Sequence, residues 1–250
     1  MRTVVMTPTY NEADNIEQLA SLLLALEPAL EVVVVDDGSP DGTGDIADKI
    51  AATEPRFHVV HRTGKRGYAA ASREGLAWCL AQGFECIASM DADLSHDPAS
   101  LTAMRAAIDA GADVAIGSRY CEGGQSLVDW GPVRRAVSQM GSAYARIMVG
   151  TPVRDCTSGY RCYRAEMLAR VPFDRIGSEG YSFLIELLAG LTDAGARIVE
   201  VPITYTDRRA GQSKISRAIV LEALWRTTLL GLTGITGIRR AAARRAGAHG

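Results

Sequence analysis

Over the first 120 residues, short apolar runs alternate with stretches of helical periodicity, and this alternation constrains the fold more than any other feature. Strands are predicted at 2–7, 31–36, 57–61, 86–90 and 113–117, and helices at about 12–26, 42–53, 69–82 and 98–110. Runs such as Val32-Val33-Val34-Val35 are apolar at every position, as expected for strands covered on both faces. Strands separated by helices predict an α/β fold with a mostly parallel central sheet flanked by helices. Ligands of such sheets bind beyond the carboxyl ends of the strands.

The residues at those ends are polar. Thr7-Pro8-Thr9-Tyr10-Asn11-Glu12 follows the first strand and Asp36-Asp37-Gly38-Ser39 the second. Asp91-Ala92-Asp93 follows the fourth and Gly117-Ser118-Arg119-Tyr120 the fifth, so the fold would gather four polar clusters on one rim. Alternation along a strand would point Asp91 and Asp93 the same way. Two adjacent carboxylates repel unless a cation lies between them, and a hard divalent ion with oxygen ligands suits that place. Such an ion keeps room for phosphate oxygens, which suggests a nucleotide. A lone Asp-x-Asp is as readily a solvated turn; four clusters on one rim are not.

Beyond residue 120, a helix is expected at about 132–149, a strand at 160–163, a helix at 180–195, a strand near 197–203 and a helix at about 214–231. Gly211-Gln212-Ser213 separates a body of residues 1–210 from a C-terminal segment, 211–250. That segment has seven Lys or Arg against one acid, in a chain whose net charge is −2. The 218–238 stretch is apolar but interrupted by Glu222 and Arg226, so an interfacial amphipathic helix is expected rather than a span. Packing of that helix on the body or on a dimer partner, followed by a disordered basic tail, is the alternative. The five cysteines form no Cys-x-x-Cys pair, and Cys79 and Cys86 lie in apolar stretches, which points to a reducing compartment. The chain opens directly on a strand pattern, without the signature of a signal peptide. A dehydrogenase is disfavoured, because no Gly-x-Gly-x-x-Gly follows the first strand.

These motifs resemble family 2 glycosyltransferases of the GT-A fold, and within them the polyprenyl-phosphate (dolichyl-phosphate) mannosyltransferases. The resemblance rests on Pro8-Thr9-Tyr10-Asn11-Glu12, Val34-Val35-Asp36-Asp37-Gly38-Ser39-Pro40-Asp41-Gly42-Thr43 and Met90-Asp91-Ala92-Asp93-Leu94-Ser95-His96. Gly117-Ser118-Arg119-Tyr120, Asp155-Cys156-Thr157-Ser158-Gly159 and Gly211-Gln212-Ser213-Lys214 extend it to nearly the whole chain. Three positions depart from the pattern: Gly67-Tyr68-Ala69 stands for a Gly-Leu-Gly element, Ser95 for a common Gln, and Leu184 for a Gln before Glu186.

The resemblance implies a metal-dependent, inverting transfer of mannose from GDP-mannose to a polyprenyl phosphate. It implies a donor site of Pro8, Tyr10, Glu12, Val35, Asp37, Asp91, Ala92, Asp93, Ser95, Arg119, Arg208 and Lys214. Asp91, Asp93 and Ser95 would hold Mg²⁺ or Mn²⁺; Arg119 would clamp a phosphate; Arg134, Arg208 and Lys214 would serve the acceptor. A phosphate acceptor is already anionic, so no general base is required. His96, the histidine nearest the rim, is read as structural, and Asp155 and Glu186 as orienting residues. The implied place is the cytosolic face of a membrane, with no nucleic-acid partner and with room for a membrane-protein partner or a homo-oligomer. UDP-glucose as donor, a nucleotidyltransferase, and a silent nucleotide- or lipid-binding protein are the alternatives.

Overall fold

The computed structural model describes residues 1–128, 132–178, 180, 182–206 and 224–229, with 132–137 as backbone alone. Its first half follows the alternation: β1 (Thr3–Thr9), α1 (Ile16–Leu26), β2 (Glu31–Asp36), α2 (Thr43–Ala51), β3 (Phe57–His61), α3 (Tyr68–Ala81), β4 (Cys86–Ser89), α4 (Ser100–Asp109) and β5 (Val114–Ser118). There follow β6 (Gln125–Ser126), α5 (Pro132–Val149), β7 (Arg161–Arg164), α6 (Ala165–Leu168), α7 (Ser182–Asp193), β8 (Ile198–Pro202) and β9 (Thr204–Tyr205). Residues 224–229 are also helical.

Seven strands form one sheet in the order β3-β2-β1-β4-β7-β5-β8. All neighbours run parallel except β7, which is antiparallel to both β4 and β5. The two-residue strands β6 and β9 pair with each other and tie the 119–128 loop to the chain after β8.

Alternation along each strand fills two cores. Val4, Met6, Val33 and Val35 face one side, against α3, α5 and α7. Val5, Val32 and Val34 face the other, against α1, α2 and α4. A fully buried Val or Leu contributes about 1.5–3 kcal/mol, which is why an apolar run without alternation is stable only in this three-layer setting. Gly75 lets α3 close onto the sheet: a Cβ there would lie 2.7 Å from both Met6 Cγ and Val35 Cγ2. Cys79, Cys86, Cys156 and Cys162 are buried, and burial pushes the Cys79 and Cys156 thiols up to about 12.

Most differences from the expected elements are shifts of one or two residues. The larger one is α1, which starts at Ile16 rather than 12 because residues 12–15 form a turn in which Glu12 O accepts from the amides of Asn15 and Ile16. Neither Asn11 nor Asp14 occupies the N-cap; that place is Asn15's. No described helix is long and apolar enough to cross a membrane.

Candidate active site

Three neighbouring parallel strands, β2-β1-β4, end on one edge, so the loops after them converge. Strand β7 runs the other way, and its start brings Gly159 and Tyr160 to the same edge. Ser89 Oγ at the end of β4 donates to Gly159 O at 2.8 Å. Both described non-glycine residues with positive φ lie on this rim: Asn11 at 59° after β1 and Leu94 at 58° after β4. Asparagine tolerates that region; leucine does so at a cost of about 1–3 kcal/mol, which the surrounding structure must offset.

The β1 and β2 loops are laced together by short side chains. Asp36 accepts from Ser39 N at 3.1 Å, Ser39 Oγ at 2.5 Å and Thr9 Oγ1 at 3.3 Å. Asp41 accepts from Ala13 N at 3.1 Å, Thr43 N at 3.0 Å and Thr43 Oγ1 at 2.6 Å. Burial pushes the Asp41 carboxyl up, but the bonds from Thr43 and Ala13 outweigh it and leave it below the usual aspartate range. The Thr43 hydroxyl caps Glu12 N at 2.9 Å, and Ser39 Oγ accepts from Asn11 N at 3.1 Å.

Asp37 and Tyr10 stand at the outer end of this lacework. Asp37 is buried, paired with Arg62, and accepts from Gly67 N at 2.6 Å. Arg66 lies over the Tyr10 ring, its guanidinium carbon 5.2 Å from the centroid. It donates to Tyr10 Oη at 3.2 Å and to Gly38 O at 2.8 Å. Arg62 and Arg66, on the loop after β3, were not singled out from the sequence. The signal was there: Arg62, Lys65 and Arg66 follow a strand that ends on the same rim. Glu12, half-buried, accepts from Asn15 Nδ2 at 2.9 Å. Pro8 pairs with Val35 across β1 and β2. Val35 is a correction as to its side chain alone, which is wholly buried in the core.

The two metal-candidate aspartates need a second correction. Strand β4 stops at Ser89, so Asp91 and Asp93 sit on a turn and strand alternation does not set their directions. Asp93 is buried and Asp91 half-buried. Asp93 Oδ1 accepts both the amide (3.1 Å) and the hydroxyl (2.5 Å) of Ser95. Ser95 is fully buried and donates its hydroxyl hydrogen bond to Asp93, which braces that carboxylate. The Ala92 methyl is likewise in the core. A Cβ on Gly159 would lie 3.4 Å from Asp91 Oδ1 and 3.1 Å from Tyr68 Oη, so Gly159 leaves room for both. Among the described residues no group of three His, Cys, Asp or Glu could hold an ion. Two oxygen donors at a polar rim still fit Mg²⁺ or Mn²⁺ when diphosphate oxygens complete the shell.

Arg119 departs from its expected place as a phosphate clamp. It grips Asp155 bidentately, Nε to Oδ2 and Nη2 to Oδ1, both at 2.7 Å, and its amide donates to Oδ2 at 3.0 Å. Asp155 is fully buried. Burial lowers the guanidinium's affinity for its proton, but Asp155 raises it by more, so Arg119 stays charged. Arg119 therefore anchors the 155–159 turn to the end of β5. Arg161 anchors it from within: its buried guanidinium donates to the carbonyls of Ser158, Leu184 and Cys156, each at 2.8 Å. His96 is buried between Tyr160 and Tyr205, with ring centroids at 5.1 and 5.5 Å, in a packing role. Glu186 is also buried, on α7. Arg134 lies in the first turns of α5 with its side chain outside the described residues, and Arg208 and Lys214 lie outside them altogether.

Residues 4–171 match the model of the family described as "Glycosyl transferase family 2". The chain is 42% identical over 234 residues to a polyprenol monophosphomannose synthase of Mycolicibacterium smegmatis, covering 93% of this chain and 88% of the relative. It is 44% identical over 232 residues to an undecaprenyl-phosphate mannosyltransferase of Micrococcus luteus, covering 93% and 95%. Two solved structures share the fold. One is glucosyl-3-phosphoglycerate synthase from Mycobacterium tuberculosis, in complex with Mn²⁺, UDP-glucose and glycerol 3-phosphate (TM-score 0.67, 21% identity, 94% of this chain and 80% of that one). The other is the mannosyltransferase PcManGT from Pyrobaculum calidifontis, in complex with GDP-Man and Mn²⁺ (TM-score 0.52, 18% identity, 100% and 76%).

Proposed function

The chain belongs to glycosyl transferase family 2, and from that premise we propose that it moves mannose from GDP-mannose to a polyprenyl phosphate at a membrane surface. The observation that carries this reading is the likeness, over 93% of the chain, to a polyprenol monophosphomannose synthase and an undecaprenyl-phosphate mannosyltransferase. The geometry supplies what the reaction needs on the donor side. The Tyr10 ring and the Asp37 carboxylate stand at one end of the rim, and Asp91 and Asp93 at the end of the next strand but one from Asp37. In this reading Asp91 and Asp93 hold Mg²⁺ or Mn²⁺, which would neutralise charge on the departing diphosphate.

The acceptor is a phosphate monoester, and its oxygen carries the attacking lone pair without losing a proton. A bond forms from that oxygen to the anomeric carbon while the bond to GDP breaks, and the electron pair leaves on the diphosphate. No side chain has to act as general base. The residues instead position two anionic groups and screen their repulsion, a task we assign to Arg134, Arg208 and Lys214. The Arg119–Asp155 pair keeps the 155–159 turn against the metal-candidate loop, so it acts by positioning.

The membrane reading has support on the outer surface. Met140 and Ile147 on α5 are 70% and 75% exposed, and Trp225 in the 224–229 helix is 64% exposed. The same helix also contacts the body: Thr227 is buried, and Tyr144 Oη and Thr228 Oγ1 lie 2.5 Å apart. The contacts with the body support packing, and the exposed Trp225 supports a lipid contact in this reading. The division into a body of 1–210 and a C-terminal membrane element of 211–250 is part of the same proposal.

The test is incubation with radiolabelled GDP-mannose, Mn²⁺ or Mg²⁺, and a polyprenyl phosphate. Label in the organic phase is expected. Label from UDP-glucose and none from GDP-mannose would replace the donor, and label that stays in water would overturn the acceptor. Flotation with anionic liposomes addresses the surface: Trp225→Asn should weaken binding severalfold, and unchanged flotation would remove this helix from the membrane contact.

A further inference from the structure

We infer that Arg66 and Tyr10 form a two-walled slot for the donor's nucleobase, with the guanidinium as the wall facing the ring. This rests on the donor being a nucleotide sugar and deepens that reading by naming a residue that holds its base. The starting point is a contact the catalytic reading leaves unused. Arg66 lies on Tyr10, with its guanidinium carbon 5.2 Å from the ring centroid. It is tethered at both edges, by Tyr10 Oη at 3.2 Å and Gly38 O at 2.8 Å.

The place of this pair in the fold argues for a base rather than a phosphate. It sits beside Asp37, at the end of β2, whereas the metal-candidate aspartates follow β4, with β1 between. The other cation near Asp37 is already engaged: Arg62 is paired with Asp37 and with Glu74 at 2.8 Å, and its side chain is 6% exposed. Guanidinium and aromatic planes both stack on nucleobases, and such stacking tolerates any base while favouring the larger face of a purine.

A base between the two walls needs them about 7 Å apart, twice the contact distance of roughly 3.5 Å between stacked carbon atoms. At 5.2 Å the slot is shut. Opening it requires Arg66 to exchange its bond to Tyr10 Oη for the face of the base. That motion is a side-chain rotation, since the loop behind it is held by Gly67 N on Asp37 at 2.6 Å. Gly38, with φ of 70°, contributes its carbonyl as the tether and has no side chain to block the rotation.

Calorimetric titration of GDP and GMP into wild type, Arg66→Ala and Lys65→Ala, each with Mn²⁺, tests the assignment. Arg66→Ala should lose roughly ten- to a hundredfold in affinity, by the same factor for GDP and GMP. It should raise the KM of the nucleotide sugar with kcat close to wild type, because the base is bound alike in ground and transition states. Lys65→Ala removes an equal charge from the same loop and should bind as wild type does. A loss that is greater for GDP than for GMP would reassign Arg66 to the phosphates and overturn the slot. So would an Arg66→Ala affinity equal to wild type, or a Lys65→Ala loss of the same size. Wild-type titration with GDP, UDP and ADP separates the two readings: preference for UDP would refute guanosine as the natural base, and the Arg66 comparison is then read with UDP and UMP.

Discussion

The loops after β2 and β4 are both rich in aspartate, and they use it differently. After β2, Asp36 and Asp41 each collect three hydrogen bonds from the protein's own amides and hydroxyls. After β4, Asp93 is braced on one oxygen by Ser95, while Asp91 lies half-buried against a glycine that leaves it room. The first loop turns carboxylates into scaffolding; the second presents them. An aspartate in a motif is therefore not by itself a ligand, and what separates the two kinds is the count of short donors within two or three residues. Ser39 and Thr43 follow the scaffold acids at that spacing, and Ser95 does the same for one oxygen of Asp93, whereas no Ser or Thr follows Asp91 within three residues.

Four substitutions break or sharpen this contrast. Asp91→Ala should reduce kcat on the order of 10⁴-fold, about 5 kcal/mol of transition-state stabilisation, while the melting temperature holds. Steady-state turnover and thermal unfolding of the same preparation read both, and full activity would end the distinction between the loops. Asp155→Ala removes a fully buried carboxylate, leaves the half-buried Arg119 without its partner, and should destabilise by about 3–5 kcal/mol in urea titration. Retained stability would mean the pair is not the anchor of its turn. Asp41→Ala should cost about 1–2 kcal/mol of stability and leave the donor KM unchanged. A raised KM with normal stability would move Asp41 out of the scaffold. Gly159→Ala sets a methyl 3.4 Å from Asp91 Oδ1 and 3.1 Å from Tyr68 Oη, and should raise the Mn²⁺ concentration for half-maximal rate severalfold with little change in stability.

A smaller effect concerns pH. The Asp41 carboxyl titrates below its ordinary range when folded, so its contribution is complete above the unfolded value and is lost as pH falls through the folded one. Acid unfolding curves of Asp41→Asn should therefore be flatter below about pH 4 than those of the wild type. Parallel curves would show that its hydrogen bonds do not discriminate between charge states.

The first half of the fold was legible because each strand is an apolar run bounded by polar turns, and each boundary lay within a few residues of its predicted place. The positions of Tyr10, Asp37, Asp91 and Asp93 on one edge followed from that alone. The functions of individual side chains did not. Arg119 and a phosphate clamp look alike in one dimension, and only the tertiary arrival of Asp155 distinguishes them. Arg66 was missed for the converse reason: a cation in a glycine-rich loop carries no periodic signal, and its partner Tyr10 is 56 positions away. The four-residue strand β7 was found as a strand but gave no sign in sequence that it would run against its neighbours.

That reversed strand also bears on how the molecule is made. Strands β1 to β4 pair only among themselves and with β7, so a nascent chain can assemble this half of the sheet as soon as residue 89 is free. Strand β5 cannot join them, since its seat beside β4 belongs to β7, some 43 residues later than the end of β5. Until Arg161–Arg164 emerges, the edge of β4 stays open beneath the aspartates, and β5 waits on the ribosome side without a partner. The chain thus delays the closing of this rim until Gly159, which walls it, is delivered two residues ahead of the strand that seals the sheet.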